Sequence, residues 1–315
     1  MTDDSTTADE HKLRRRTVLK LMLSALAMGW RCTVATASPG EAMRKRTIPS
    51  TGEMLPVVGL GTSDEFDVAP GEDLEPLREV LRLFATLGGT LVDTAPVYGN
   101  AESVIGQLVT ELGLTRKLFL ATKVRTYGKQ AGIDQMQTSE FLLNKDPLDL
   151  IQVHSLLDVD TQLQNLRRWK DEGHVRYIGV THSRTSAHDE LERLMQKEKL
   201  DFVQLNYSFT EPNAEKRLLS LAADKGIAVI ANRPFENGAL FRRVKGKALP
   251  AWAGEFDCKS WAQFSLKYIL SNPAVTCVIP ATSNPKHLID NMGAGVGTLP
   301  DETTRRRMRE YGASI

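Results

Sequence analysis

Eight short apolar runs rich in Val, Ile, Leu and Thr recur along the chain, at residues 57–61, 90–94, 118–124, 148–154, 175–181, 202–207, 227–232 and 275–280. Longer segments of helical period separate them. That alternation points to parallel strands joined by crossover helices, because two strands running the same way need a long connection. Leu77, Val80, Leu81, Phe84 and Leu87 share one helical face ahead of Gly88-Gly89. Val104, Ile105, Leu108, Val109 and Leu112 share another ahead of Gly113; helix ends favour glycine. Further helices are expected at 163–170, around Leu191, Leu194 and Met195, at 218–223 and at 261–270, with one more near the C-terminus. In a chain of 315 residues, eight strands with interleaved helices predict an α/β fold of the (β/α)8 TIM-barrel type, whose usual size is ~250 residues. A doubly wound open sheet would carry a Gly-rich turn after its first strand, and "GLGTSDEFD" lacks the G-x-G-x-x-G spacing. Ahead of the first strand, "RTIPSTGEMLP" reads as a short β-hairpin turning at 50–53.

The first forty residues follow a different plan. A polar start leads to Arg15-Arg16, then to an apolar stretch over 21–30 that Arg31 interrupts, and then to the small residues Ala35 and Ala37. This is the layout of an export signal. Arg15-Arg16-Thr17-Val18-Leu19-Lys20 resembles the twin-arginine pattern. The expected organisation is therefore a signal peptide at 1–37, cut after Ala37, and a barrel at 38–315. The expected partner is the twin-arginine export machinery and the expected location periplasmic. No apolar stretch approaches the ~20 residues that span a bilayer, so no stable membrane anchor is expected. With a net charge of +1, no nucleic-acid partner is expected either. Cleavage would remove Cys32 and leave Cys258 and Cys277, which read as two free thiols with no metal-ligand spacing.

In a (β/α)8 barrel the site forms at the C-terminal ends of the strands. The second strand ends on Asp93, with Tyr98 in the loop that follows. The third brings Lys123 and the fourth ends on His154. Singly, each has a structural explanation; on consecutive strand ends they form a set. A phenol titrates near ~10, too weak an acid to protonate an alkoxide efficiently at neutral pH. An adjacent ammonium favours the phenolate and so makes the phenol a better acid. Lys123 beside Tyr98 would do this, Asp93 would hold Lys123, and His154 would orient a substrate oxygen. The missing part is a hydride source, which no side chain supplies.

"VDTAPVYGNAESVIG", "ATKV", "IQVHS", "YIGVTHS", "VQLNYS" and "IPATSNPKHLIDN" resemble, in this order, the aldo-keto reductases, over about residues 46–291. The resemblance implies reduction of an aldehyde or ketone to an alcohol, or the reverse, with NADP(H) as cofactor and NAD(H) as the second candidate. It assigns Tyr98 as general acid/base, Asp93 and Lys123 as its supporting pair, and His154 as the orienting residue. Gln204 matches the contact to the nicotinamide carboxamide, and Thr62 and Asp93 also fall on the cofactor side. Thr181-His182 stands where the family has a serine-asparagine pair. Asn232, followed by Arg233, stands where an aromatic residue stacks on nicotinamide. Ser283, Asn284 and Asn291 match adenosine-phosphate contacts, whereas Ala281 replaces a common lysine and His287 a common arginine. These departures support a second reading, a catalytically weak nucleotide-binding regulatory or sensor module. The substrate is a small carbonyl compound that the sequence does not specify, and no metal is expected.

Overall fold

The computed structural model describes residues 42–314; the expected signal peptide at 1–37 lies outside the described residues. The chain opens with an antiparallel hairpin of β1 (Lys45–Thr47) and β2 (Met54–Pro56). Eight parallel strands follow: β3 (Leu60–Gly61), β4 (Leu91–Asp93), β5 (Phe119–Val124), β6 (Leu148–His154), β7 (Val175–His182), β8 (Phe202–Asn206), β9 (Ala228–Asn232) and β10 (Val275–Val278). They lie side by side in chain order. Bridges from Val58 to Val278 and from Gly61 to Ala281 close the first strand onto the last, so the sheet is a (β/α)8 barrel. All eight strands expected from sequence are present.

Two apolar cores follow from the alternation of side chains along each strand. One set of residues, among them Val92, Leu120, Ile151, Val180, Val203 and Val229, faces outward to the helices. The other set fills the barrel: Leu91, Phe119, Leu150, Tyr177, Phe202, Ile230 and Cys277. Ile48 and Leu55 of the hairpin join this inner set, so the hairpin closes the N-terminal end of the barrel. Gly179 is required on this wall, since a Cβ there would stand 2.4 Å from the carbonyl oxygen of Phe202. Cys258 and Cys277 are both buried free thiols.

The helices Glu75–Thr86, Ala101–Glu111, Val159–Glu172, His188–Lys197, Leu218–Lys225 and Trp261–Ser271 occupy the expected connections. The helix Lys129–Leu143 was not expected. Its inner face is Gly132, Met136, Ser139 and Leu143, which keeps the helical spacing but carries only two large apolar residues. The close approach is what the small residues permit: Gly106 of the preceding helix leaves room for the Leu142 carbonyl, which a Cβ would meet at 1.8 Å. The basic run Arg305-Arg306-Arg307-Met308-Arg309 reads in sequence as a solvated helix face, and the structure bears this out only in part. Arg306 and Arg307 face solvent, but Arg305 is only 4% exposed and bonds Glu215 at 2.8 Å and Tyr207 at 3.2 Å. The run is therefore not wholly a solvated face; part of it ties the helix Glu302–Gly312 to the barrel. Among the described residues, no helix is long and apolar enough to cross a membrane.

Candidate active site

Inward-facing positions alternate along the strands, so extending each inner column by one step past the apolar core sets Asp93, Lys123, Gln152, Thr181, Gln204 and Asn232 above Leu91, Ala121, Leu150, Gly179, Phe202 and Ile230. Apolar residues below and polar residues above make a floor. Over it opens a cavity of about 1080 Å³. Among its lining residues are Thr62, Asp93, Tyr98, His154, Thr181, His182, Gln204, Asn232, Arg233, Ser283, Asn284 and His287. Two predicted site residues do not line it. Lys123 lies behind Asp93 and Tyr98, and Asn291 is buried on the inner side of the helix Pro285–Gly293.

Lys123 is 1% exposed, and an ammonium that deep must be paired. Its Nζ donates to Asp93 Oδ2 and to the Thr94 carbonyl, each at 2.7 Å, and lies 5.0 Å from the centre of the Tyr98 ring. Burial alone disfavours its charge, but the Asp93 carboxylate and then Tyr98 outweigh burial and raise its pKa. Lys123 is therefore a fixed positive charge beneath the phenol. Asp93 is tied on its other side as well: Gln204 Nε2 donates to Oδ1 at 2.7 Å, and Gln152 Nε2 reaches it at 3.5 Å. Thr181 Oγ1 and Asn232 Nδ2 donate in turn to Gln204 Oε1, at 3.0 and 3.3 Å. A continuous chain of hydrogen bonds thus runs from Asn232 and Thr181 through Gln204 and Asp93 to Lys123. Thr62 fixes the same strand end by donating to the Asp93 carbonyl at 2.9 Å.

His154 meets Tyr98 edge to face, with ring centres 6.3 Å apart. Its Nδ1 is engaged by Ser155 Oγ at 2.9 Å, which leaves Nε2 as the other ring nitrogen. Burial, then Lys123, Arg125 and His182, push its pKa down to about 3, so the imidazole is neutral at neutral pH. His182 accepts from the Arg184 backbone through Nδ1 at 3.1 Å, and burial followed by Arg184 lowers its pKa too. Arg233 bridges two loops, donating to the Ser183 carbonyl at 2.9 Å and to Asn237 Oδ1 at 3.3 Å.

The far end of the cavity is the start of the helix Pro285–Gly293. Asn284 caps it, its side chain accepting from the Lys286 backbone. Helix N-termini favour anions. Here Ser283 already gives its backbone N–H at 2.8 Å, and its hydroxyl, to Glu65 Oε2 from the loop after β3. Sequence reading missed Glu65, Gln152 and Ser155. Gln152 alone left a signal: it is the one polar residue between Leu150 and His154 on the inner face of an apolar strand. Residues 57–307 match the family described as the aldo/keto reductase family. The chain is 26% identical to the aldo-keto reductase YhdN of Bacillus subtilis, over 60% of this chain and 61% of that protein. It is 28% identical to the methylglyoxal reductase YeaE of Escherichia coli, over 79% of this chain and 89% of that protein. Among solved structures, an aldo-keto reductase from Klebsiella pneumoniae in complex with NADPH superposes with a TM-score of 0.71 at 22% identity, over 85% of this chain and 95% of that one. With 57–307 matched, from the bridge that closes the barrel to its last helix, the chain belongs to the aldo/keto reductase family.

Proposed function

We propose that the protein reduces an aldehyde or ketone to an alcohol, or runs the reverse reaction, with a nicotinamide nucleotide and with Tyr98 as general acid and base. The observation that carries this reading is the buried Asp93 and Lys123 pair under the ring of Tyr98, at the floor of an open cavity. As the phenolic proton leaves, negative charge grows on the oxygen, and a fixed ammonium stabilises it. His154, neutral and held through Nδ1, orients a carbonyl oxygen by hydrogen bonding. The bound nucleotide supplies the hydride.

The residues present fit a nicotinamide nucleotide. Asn232 Oδ1 is buried without a hydrogen-bond partner and lines the cavity, so it offers an acceptor beside Gln204 for an amide N–H2. Thr62, Thr181, His182 and Arg233 line the same stretch. Ser283, Asn284 and His287 surround a helix N-terminus suited to phosphate. NADP(H) is the first expectation, supported by the NADPH held by the related Klebsiella protein, and NAD(H) the second. Glu65 on Ser283 is the observation that favours the second reading, a weakly catalytic nucleotide sensor, because it occupies donors that a phosphate would use. We further propose that 1–37 is a twin-arginine signal that delivers the protein to the periplasm; a variant with Arg15 and Arg16 changed to lysine should then stay in the cytoplasm, and export unchanged would refute it.

Steady-state oxidation of NADPH and of NADH by the purified protein, across a panel of aldehydes and ketones, separates the readings. Turnover supports the reductase. Tight nucleotide binding without turnover supports the sensor, and neither binding nor turnover overturns both.

A further inference from the structure

The opposite end of the barrel holds a second group of side chains that the proposed chemistry does not use. Glu140 lies near the end of the helix Lys129–Leu143, Asp146 stands just before β6, and His174 stands just before β7. One donor atom from each of the three lies within 4.8 Å of the other two. His174 Nδ1 and Glu140 Oε1 are 3.7 Å apart. That is too long for a hydrogen bond but close to the ~3.4 Å that separates two ligands at ~2.0–2.2 Å from a tetrahedral ion. Glu140 Oε1 is itself buried and has no hydrogen-bond partner, which a carboxylate oxygen rarely tolerates.

The nearby cations are committed elsewhere. Arg168 pairs with Glu172 at 2.8 Å, and Lys145 with Asp149. Among the described residues no lysine or arginine forms an ion pair with Glu140 or Asp146. His174 is exposed on one side, but its backbone and one ring face are fixed. Its N–H donates to the Trp169 carbonyl at 2.9 Å, its own carbonyl accepts from Leu148 at 3.1 Å, and its ring packs on Trp169 at 5.2 Å. A cavity of about 300 Å³, lined by Glu140 and His174 together with Gln137 and Glu172, adjoins the group and leaves room for water ligands.

We propose that Glu140, Asp146 and His174 form a binding site for one divalent transition-metal cation, with zinc as the type case. One imidazole and two carboxylates are the donor set that such borderline ions accept, with water in the open position. The cation ties the helix Lys129–Leu143 to the starts of β6 and β7. This is the stabilising face of a (β/α)8 barrel, away from the mouth. No short motif announces the site, because its ligands come from three separate connections.

The test uses chelator-treated full-length protein and Zn2+ alone, read by titration calorimetry, with Co2+ absorption reporting the ligand field. The wild type should bind one Zn2+ per chain, and its melting temperature should rise by roughly 5 °C at a hundredfold excess over Kd. His174→Ala and Glu140→Gln, on different elements, should each weaken binding by more than about tenfold while melting like metal-free wild type. No stoichiometric binding by the wild type overturns the proposal. So does binding kept in both variants, which would place the ion elsewhere. Neither readout depends on turnover, so failure here is distinct from failure of the reductase reading.

Discussion

The two ends of the large cavity are built on opposite terms. At the floor, Asp93, Lys123, Gln204 and Thr181 are each no more than 4% exposed, and each is hydrogen-bonded to another member of the set. At the rim, Ser283 is half-buried and His287 exposed, and Ser283 is held by a carboxylate, Glu65. Charges in a dry floor are strongly coupled, whereas those at a wet rim are screened and replaceable. The floor therefore fixes the chemistry, and the rim is where a change of nucleotide preference costs least.

The sharpest way to break this contrast is Lys123→Met. It should lower kcat by roughly 10²- to 10⁴-fold. It also strands the buried Asp93 carboxylate, at a cost of about 3–5 kcal/mol read by denaturant unfolding. A variant as stable and active as wild type would show that the floor is not coupled. Gln204→Ala comes next, because it leaves Thr181, Asn232 and Asp93 each short of a partner. About 1–3 kcal/mol of stability should go with it, together with nucleotide affinity measured by fluorescence titration.

A third prediction concerns acid. His154 binds no proton in the folded state until its pKa of about 3, against 6.5 when unfolded. Its contribution is neutral above pH 6.5, and the fold loses stability as pH falls from 6.5 towards 3. His154→Gln should flatten that part of the stability profile, and an unchanged slope would mean that His154 is not held neutral. The smallest effect belongs to the rim. Glu65→Gln should improve the NADPH over NADH preference by about three- to fivefold, the scale of an exposed charge. A far larger change would mean that the rim is as tightly coupled as the floor.

The barrel was legible in sequence because its strands are continuous apolar runs; β6 spans the expected residues without a shift. The helix Lys129–Leu143 was not, since Gly132 and Ser139 pack by being small rather than apolar, and hydrophobic period does not register small residues. In the site, Asp93, Lys123 and His154 were legible as polar groups at the ends of apolar strands, and Tyr98 as the phenol in the loop after Asp93. The pairing of Asp93 with Lys123 was expected too, but the longer-range contacts around them were not. Gln204 reaches Asp93 across 111 positions and Glu65 reaches Ser283 across 218, contacts that barrel closure creates and no local pattern encodes.

The proposed proton device stands or falls on Tyr98. The most direct measurement is single-turnover hydride transfer by Tyr98→Phe with NADPH and an aldehyde the wild type reduces, alongside its nucleotide Kd. The phenylalanine ring keeps the packing against Lys123 and His154, so nucleotide affinity should stay within a few-fold while the transfer rate falls by about 10²-fold or more. A variant that transfers hydride as fast as wild type would show that the proton comes from elsewhere.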